Sequence, residues 1–378
     1  MTSKNRLSAQ QLYDPLVTNG VDYFCGVPDS ITSPFSHFLE ESTPDKHTIT
    51  ANEGNAIGLA IGYHIATGKI PLVYMQNSGL SNAMDPLASL ADKSVFNTPM
   101  LLLIGWRGQP GIKDEPHHER QGAITPDLLK SLEIPFEILS NEPSEAERQI
   151  RDTVLNAGEQ SRPYALLLEQ GALAEYSKSK QEYDRFSLSR EEALGVVLDF
   201  VNESSVIVTG IGKISRELFE YREHKNQGHV QDLMVVGGMG HASSIALGIA
   251  QQKPEKKVFC LEGDGSVLMH LGALPSIGSL TPANFYHIVF NNGSHDSVGG
   301  LPTSGQHADI TAIARACGYG RAESVSEAQS VTTALDEMQQ GKGPALLEIN
   351  IRKGARPNLT RPTISPAQDK ADLMTFLD

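Results

Sequence analysis

VFCLEGDGSVLMHLGALPSIGSLTPANFYHIVFNNGS, residues 258 to 294, is the stretch on which the reading of the fold turns. VFCLE and FYHIVF are short apolar runs rich in β-forming residues. Between them Val267, Leu271, Leu274 and Ile277 recur at helical spacing, so the segment reads strand, helix, strand. A βαβ unit has parallel strands and a right-handed crossover, which brings Gly263-Asp264-Gly265-Ser266 and Asn291-Asn292-Gly293-Ser294 out at the carboxyl edge of one sheet. Asp264 and Asn292 thereby become neighbours. A carboxylate, an amide oxygen and the Ser294 backbone carbonyl form a hard, all-oxygen set with one formal charge. Such a set suits Mg2+ that keeps positions for water and phosphate oxygens, with Asn291 as the alternative amide. Gly263 and Gly265 let backbone N–H groups approach a diphosphate, and a helix opening at Ser266 adds its positive dipole end.

The chain of 378 residues is long enough for two domains, each with its own core, and 39% apolar with 20% charged residues is the composition of a soluble globular protein. A formal net charge of −14 argues against a general nucleic-acid or anionic-membrane surface, so an anionic substrate must meet a local cationic pocket. Cys25, Cys260 and Cys317 are odd in number and lack CxxC spacing. They read as buried small hydrophobes of a reducing compartment. MTSKNRLSAQ has no apolar core of a signal peptide and no apolar run reaches bilayer length, which places the protein in the cytoplasm with no membrane partner.

Outward from the opening segment, VDYFC, HTITA, PLVYM, PMLLLIG, PFEIL and PYALLLE alternate with helical patterns in the first half. SVIVTG, LMVVG, VFCLE, FYHIVF and ALLEIN do so in the second. This predicts an α/β protein of two doubly wound parallel-sheet domains, over residues 1–178 and 189–378, joined by a polar linker at 179–188. Ser189 with Glu192 forms a capping box that opens a helix over 190–202.

The pair GDG…NN resembles the diphosphate-binding motif of thiamine-diphosphate enzymes. That resemblance implies thiamine diphosphate and Mg2+ as cofactors, with Asp264, Asn292 and the Ser294 carbonyl on the metal and Gly263, Gly265 and Ser266 at the diphosphate. It makes the first domain pyrimidine-binding and the second diphosphate-binding, and it implies at least a homodimer with sites shared between chains. ANEGNAIGLAIG, residues 51–62, is similar to the family segment whose Glu hydrogen-bonds the aminopyrimidine ring, which assigns that role to Glu53. Read alone, Glu53 is equally a first-turn acid favoured by the helix dipole. Val235-Val-Gly237-Gly-Met239 resembles the wedge that bends the cofactor, with Met239 as wedge and the Gly237 carbonyl as acceptor; otherwise Met239 is core. Asn77 and Ser78 match a loop beside the pyrimidine, or cap the next helix.

Substrate chemistry falls on residues 105–122, GWRGQPGIKDEPHHERQG, which follows the strand MLLLI and reads as a loop because of its Gly and Pro. His117 or His118 could supply protons near neutral pH, and adjacent histidines also occur here in the family's keto-acid decarboxylases. Arg107, Lys113 and Arg120 exceed what the methyl group of pyruvate needs and suit a second, tetrahedral anion. Asp29 and Ser30 of GVPDS fall at a substrate-facing turn, or Asp29 caps the following helix. Together these segments resemble the phosphonopyruvate decarboxylases. The expectation is therefore a lyase that releases CO2 from a small anionic 2-keto acid in phosphonate biosynthesis. Alternatives are a sulfopyruvate decarboxylase, a carboligase with the same cofactor, or a non-catalytic nucleotide-binding protein.

Overall fold

Apolar runs that alternate with amphipathic helices bury both faces of a parallel sheet, and the chain does this twice. The computed structural model describes residues 6–177 and 185–378, and the chain divides into two compact units, Met1–Gln181 and Glu182–Asp378. In the first, β1 (Phe24–Gly26), β2 (His47–Ile49), β3 (Leu72–Gln76), β4 (Met100–Gly105), β5 (Phe136–Ile138) and β6 (Pro163–Leu168) form a parallel sheet of order β2-β1-β3-β4-β6-β5. Its helices are α1 (Ala9–Thr18), α2 (Ser33–Ser42), α3 (Glu53–Thr67), α4 (Leu80–Pro86), α5 (Pro116–Ser131) and α6 (Pro143–Gln160). Successive side chains of a strand point to opposite faces. Accordingly Leu101 and Leu103 join the core under α1, α2 and α6, whereas Leu102 and Ile104 join the one under α3, α4 and α5.

The second unit contains β7 (Val206–Thr209), β8 (Asp232–Met234), β9 (Val258–Gly263), β10 (Phe285–Asn291), the short hairpin β11 (Ser294–His295) and β12 (Leu301–Pro302), then β13 (Arg321–Val325) and β14 (Ala345–Asn350). Its parallel sheet runs β13-β14-β10-β9-β7-β8, which, read from the other edge, repeats the strand order of the first unit. Its helices are α7 (Arg190–Phe200), α8 (Lys213–His224), α9 (Ala242–Gln252), α10 (Asp264–Met269), α11 (Ala273–Leu280), α12 (Ile310–Ala316), α13 (Ala328–Met338) and α14 (Pro366–Leu377). In both units the residues singled out for chemistry lie at or beyond the carboxyl ends of the sheet strands. Open α/β sheets bind ligands at that edge.

The structure departs from the sequence reading in several places. The crossover from β9 to β10 is two helices: the chain breaks at His270 and restarts after Gly272, and α10 opens at Asp264 instead of Ser266. The segment 105–122 is a loop only as far as Glu115. Pro116 needs no N–H partner in a first turn, so it starts α5 and puts His117, His118 and Arg120 on a helix. RAESV forms β13, an edge strand whose polar residues gave no apolar run to read. Cys317 is partly exposed at the end of α12, whereas Cys25 and Cys260 are buried. Residues 171–177 belong to the first unit through the Leu7–Leu173 bridge and the hydrogen bond from Tyr176 to Glu41. Residues 179–184 of the expected linker lie outside the described residues. Ser189 and Glu192 form the capping box that opens α7. Among the described residues no helix is long and apolar enough to cross a membrane.

Candidate active site

At the carboxyl edge of the second sheet, β9 and β10 are parallel neighbours, which sets the turn after Gly263 beside the turn after Asn291. Asp264 is 1% exposed, and its carboxylate accepts from the Thr303 hydroxyl and from the backbone N–H groups of Asn292 and Gly265. Burial pushes its carboxyl up to about 6 against those hydrogen bonds. Asn292 accepts from the Ser294 N–H at 3.0 Å and donates to Asp296 at 2.8 Å. Asn291, the alternative ligand, is instead tied into the sheet: it donates to the Gly305 carbonyl at 2.8 Å and to Glu348 at 2.7 Å, and accepts from Gly293 N–H at 3.0 Å. Ser294 is buried, with a hydroxyl that has no hydrogen-bond partner among the described residues. A Cβ at Gly305 would lie 2.2 Å from the Asp264 carboxylate, and one at Gly265 would press on His295 and Thr303. One buried carboxylate, an amide next to it, an unsatisfied hydroxyl and glycine walls fit a small divalent cation carrying a diphosphate.

The Ser266 side chain is engaged within the protein. Its hydroxyl donates to Glu262 at 2.7 Å and accepts from Gly240 N–H at 3.0 Å, so only its backbone N–H is left for an anion. Glu262 also accepts from His287 at 3.0 Å, and His287 meets Tyr319 at 3.2 Å. Burial alone would raise the Glu262 carboxyl, but the hydrogen bonds from His287 and Ser266 outweigh it and hold it below its ordinary range. This chain of contacts pins the turn after β8 that carries Gly237 and Met239. Gly240 sits there at φ +84°, and a Cβ on it would lie 2.7 Å from the His270 ring. Met239 is partly exposed and does not belong to either core of this unit, which removes the reading of it as core.

In the first unit Glu53 begins α3 directly after the β2 edge and is buried. Asn82 donates to its carboxylate at 2.8 Å. Burial raises its pKa, and the negative charge of Asp29 adds to the rise, while the Asn82 bond opposes it. A Cβ at Gly79 would sit 2.4 Å from the Glu53 carboxylate, so the turn beneath it has no room for a side chain. Asn77 does not cap a helix. Its amide donates to the Arg107 carbonyl and to Thr125, each at 2.9 Å, and accepts from the Arg107 N–H at 3.0 Å. The Ser78 hydroxyl accepts from Gln76 at 2.6 Å.

Arg107 pairs with Asp114 through Nε at 2.7 Å and through Nη2, and its Nη1 donates to Ser30 at 2.8 Å. Asp29 turns its carboxylate inward to Ile31 N–H and Thr32, against the Gly105 backbone. That is a local turn role, three residues ahead of Thr32, the N-cap of α2. Lys113 and Arg120 are exposed. His117 and His118 have ring centroids 4.0 Å apart, and the His118 Nδ1 is buried without a partner among the described residues. Burial, with His117 and Arg107 adding repulsion, pushes His118 down to about 4; burial and Arg107 also lower His117. Both rings are therefore neutral at pH 7 and are not the ready proton donors that free imidazoles would be.

The sign of this shift makes a stability prediction. Between about pH 6.5 and 4 the unfolded imidazole binds a proton that folded His118 refuses, so acidification lowers stability across that window. Thermal melts at pH 7.5, 6 and 5 are expected to show a shallower acid slope in His118→Asn. Some slope should remain, because His295 is pushed down to about 4 in the same way. An unaltered slope would remove His118 as a contributor.

Several participants were invisible as such in the sequence. Asp114 lies inside the 105–122 segment without an assigned role, Asn82 lies past Asn77 and Ser78, and Thr303 and Gly305 lie outside every quoted segment. Glu262 and His287 carried a usable signal, since a charged residue and a histidine inside apolar strand runs imply a buried partner.

A family model described as thiamine pyrophosphate enzyme, N-terminal TPP binding domain, matches residues 8–130, and one described as thiamine pyrophosphate enzyme, C-terminal TPP binding domain, matches residues 210–349. A phosphonopyruvate decarboxylase of Streptomyces viridochromogenes is 32% identical over 377 residues, covering 96% of this chain and 93% of that protein. One from Streptomyces hygroscopicus is also 32% identical, covering 95% and 91%. A sulfopyruvate decarboxylase of Methanosarcina acetivorans is 24% identical, covering 96% and 95%.

Proposed function

This chain belongs to the thiamine pyrophosphate enzyme family and, within it, to the group of the phosphonopyruvate decarboxylases, and from that premise we propose that it splits 3-phosphonopyruvate into phosphonoacetaldehyde and CO2 during phosphonate biosynthesis. The observation that carries this reading is likeness at 32% identity along 96% of the chain. The sulfopyruvate relative, at 24%, is more distant and makes sulfopyruvate the second candidate.

When bound, thiamine diphosphate supplies the carbon nucleophile for the keto carbon and the sink for the electron pair left by CO2. Asp264, the Asn292 amide oxygen and the Ser294 carbonyl would hold Mg2+, and the backbone at Gly263, Gly265 and Ser266 the diphosphate. Met239, the Gly237 carbonyl and Ser78 would seat the ring end. Burial raises the pKa of the Glu53 carboxyl, which fits it to share a proton with a ring nitrogen. Ser30, which meets the Arg107 guanidinium, lines the substrate side, on a turn that the inward Asp29 carboxylate braces. Arg107 receives the tetrahedral anion, and exposed Lys113 and Arg120 add positive field. An arriving anion raises the pKa of His117 and His118 and so lets them take up and hand on a proton.

We place the enzyme in the cytoplasm as a homodimer or larger assembly with sites shared between chains. Its three cysteines are free, and Leu59, Ile65, Met84, Leu90, Val95 and Phe96 leave apolar surface on and after α3 that a second copy would cover. The test of the activity is CO2 release from phosphonopyruvate, sulfopyruvate and pyruvate side by side. Two charged hydrogen bonds to the remote anion correspond to about a hundredfold preference for phosphonopyruvate over pyruvate in kcat/KM. A preference for pyruvate would refute the assignment.

A further inference from the structure

The short 3-10 helix Asn77–Gly79 leaves the end of β3 and does different work at its two ends. At one end, Gly79 has φ −70°, a conformation open to any residue, yet its Cα lies so close under Glu53 that a methyl group would meet the carboxylate. At the other end, Asn77 is 1% exposed and binds both backbone polar groups of Arg107, the N–H with its amide oxygen and the carbonyl with its amide nitrogen. Arg107 lies beyond the end of β4, where the ladder no longer holds the chain, and one side chain thus takes the place of a neighbouring strand. The same amide nitrogen reaches Thr125, whose hydroxyl is already donated to Gln121 on α5 at 2.7 Å.

The Arg107 side chain is held as firmly. Asp114 takes Nε and Nη2 and also accepts the N–H groups of Gly108 and Glu115, each at 2.8 Å, which loads each of its oxygens with two donors. A guanidinium has five N–H groups. Three are engaged by Asp114 and Ser30, and two have no acceptor among the described residues. Gly108 and Gly122 let this segment lie directly on α5, since a Cβ on either would run into the other segment's backbone.

We propose that Asn77 is a positioning residue for substrate length: the Asn77–Gly79 turn fixes the Arg107 guanidinium at a set place relative to the Glu53 carboxyl, so that an acid is accepted when its remote tetrahedral anion spans that interval. This rests on the reading of Arg107 as the receptor for that anion. It also moves Asn77 from cofactor contact to clamp. Displacements of about 1 Å at such a site can cost about a hundredfold in rate, which is why a backbone clamp has leverage.

The test compares full-length wild type with Asn77→Ala and the isosteric Asn77→Asp. Asp keeps the acceptor for the Arg107 N–H but sets an oxygen against the Arg107 carbonyl, and Thr125 has no second proton to offer. In protein loaded with thiamine diphosphate and Mg2+, KM for phosphonopyruvate is expected to rise about tenfold or more, with a smaller fall in kcat. Binding of the inert analogue 3-phosphonopropionate to cofactor-free protein should weaken by a similar factor. It can be followed by the fluorescence of Trp106, the single tryptophan, which is buried next to Arg107 and donates to the Gly122 carbonyl at 2.9 Å. The rise in thermal midpoint on adding thiamine diphosphate and Mg2+ should remain as in wild type. Gly79→Ala should do the opposite, lowering kcat while analogue binding stays within about twofold. Unchanged KM and analogue binding in Asn77→Asp would overturn the proposal. So would loss of the cofactor-induced thermal shift, which would return Asn77 to the cofactor. If wild type ignores both phosphonopyruvate and the analogue, the substrate reading itself fails and this inference with it.

Discussion

Glu53→Gln is expected to release CO2 from phosphonopyruvate about a thousandfold more slowly than wild type while still binding thiamine diphosphate and Mg2+. The substitution keeps the size of the side chain and an oxygen for the Asn82 donor, so the packing against Gly79 survives. What it removes is the exchangeable proton. General acid–base groups contribute about a hundredfold to ten-thousandfold, and Glu53 has the raised pKa that such a role calls for. Steady-state CO2 release, run alongside a cofactor-induced thermal shift, separates lost chemistry from lost binding. Turnover within tenfold of wild type would take Glu53 out of the mechanism.

Asp264→Asn should lose the cofactor altogether. In wild type, thiamine diphosphate with Mg2+ at about a hundred times the dissociation constant adds about 2.7 kcal/mol, roughly 5 °C or more in melting temperature, and a chelator should reverse it. The variant is expected to show no such rise and below about 1% of the activity. Without ligands the expectation inverts. The Asp264 carboxyl is pushed up to about 6 by burial, so at pH 7.5 the folded chain carries an unfavourably buried charge that Asn lacks, and the unliganded variant should melt at or above wild type. A variant that melts higher yet ignores the cofactor identifies Asp264 as a ligand-holding group. One that still responds to Mg2+ and thiamine diphosphate would refute its place in the site.

Local pattern carried the outline of the molecule. Apolar runs spaced by helical periodicity implied parallel α/β sheets. Turns directly after those runs had to surface at carboxyl edges, and Ser189 with Glu192 marked the start of α7. These features were legible because each depends on residues within a few positions of one another. The same locality explains the errors. Pro116 sits in a Gly- and Pro-rich segment that reads as a loop yet opens α5, and the helical spacing after Asp264 conceals a break at His270.

Within the site, the sequence by itself determined which residue types stand at the sheet edges: Glu53 after β2, Asn77 after β3, Arg107 after β4, Asp264 after β9 and Asn292 after β10. Only the tertiary structure decided what those side chains are free to do. Asn77 is taken up by the Arg107 backbone, Asp114 by Arg107, the Ser266 hydroxyl by Glu262, and Asn291 by Glu348. The two histidines are neutral because His118 is buried and His117 half-buried beside Arg107. Hydrogen-bond partners and desolvation arise from strand register and from the crossing of segments far apart in the chain, and no local spacing encodes either.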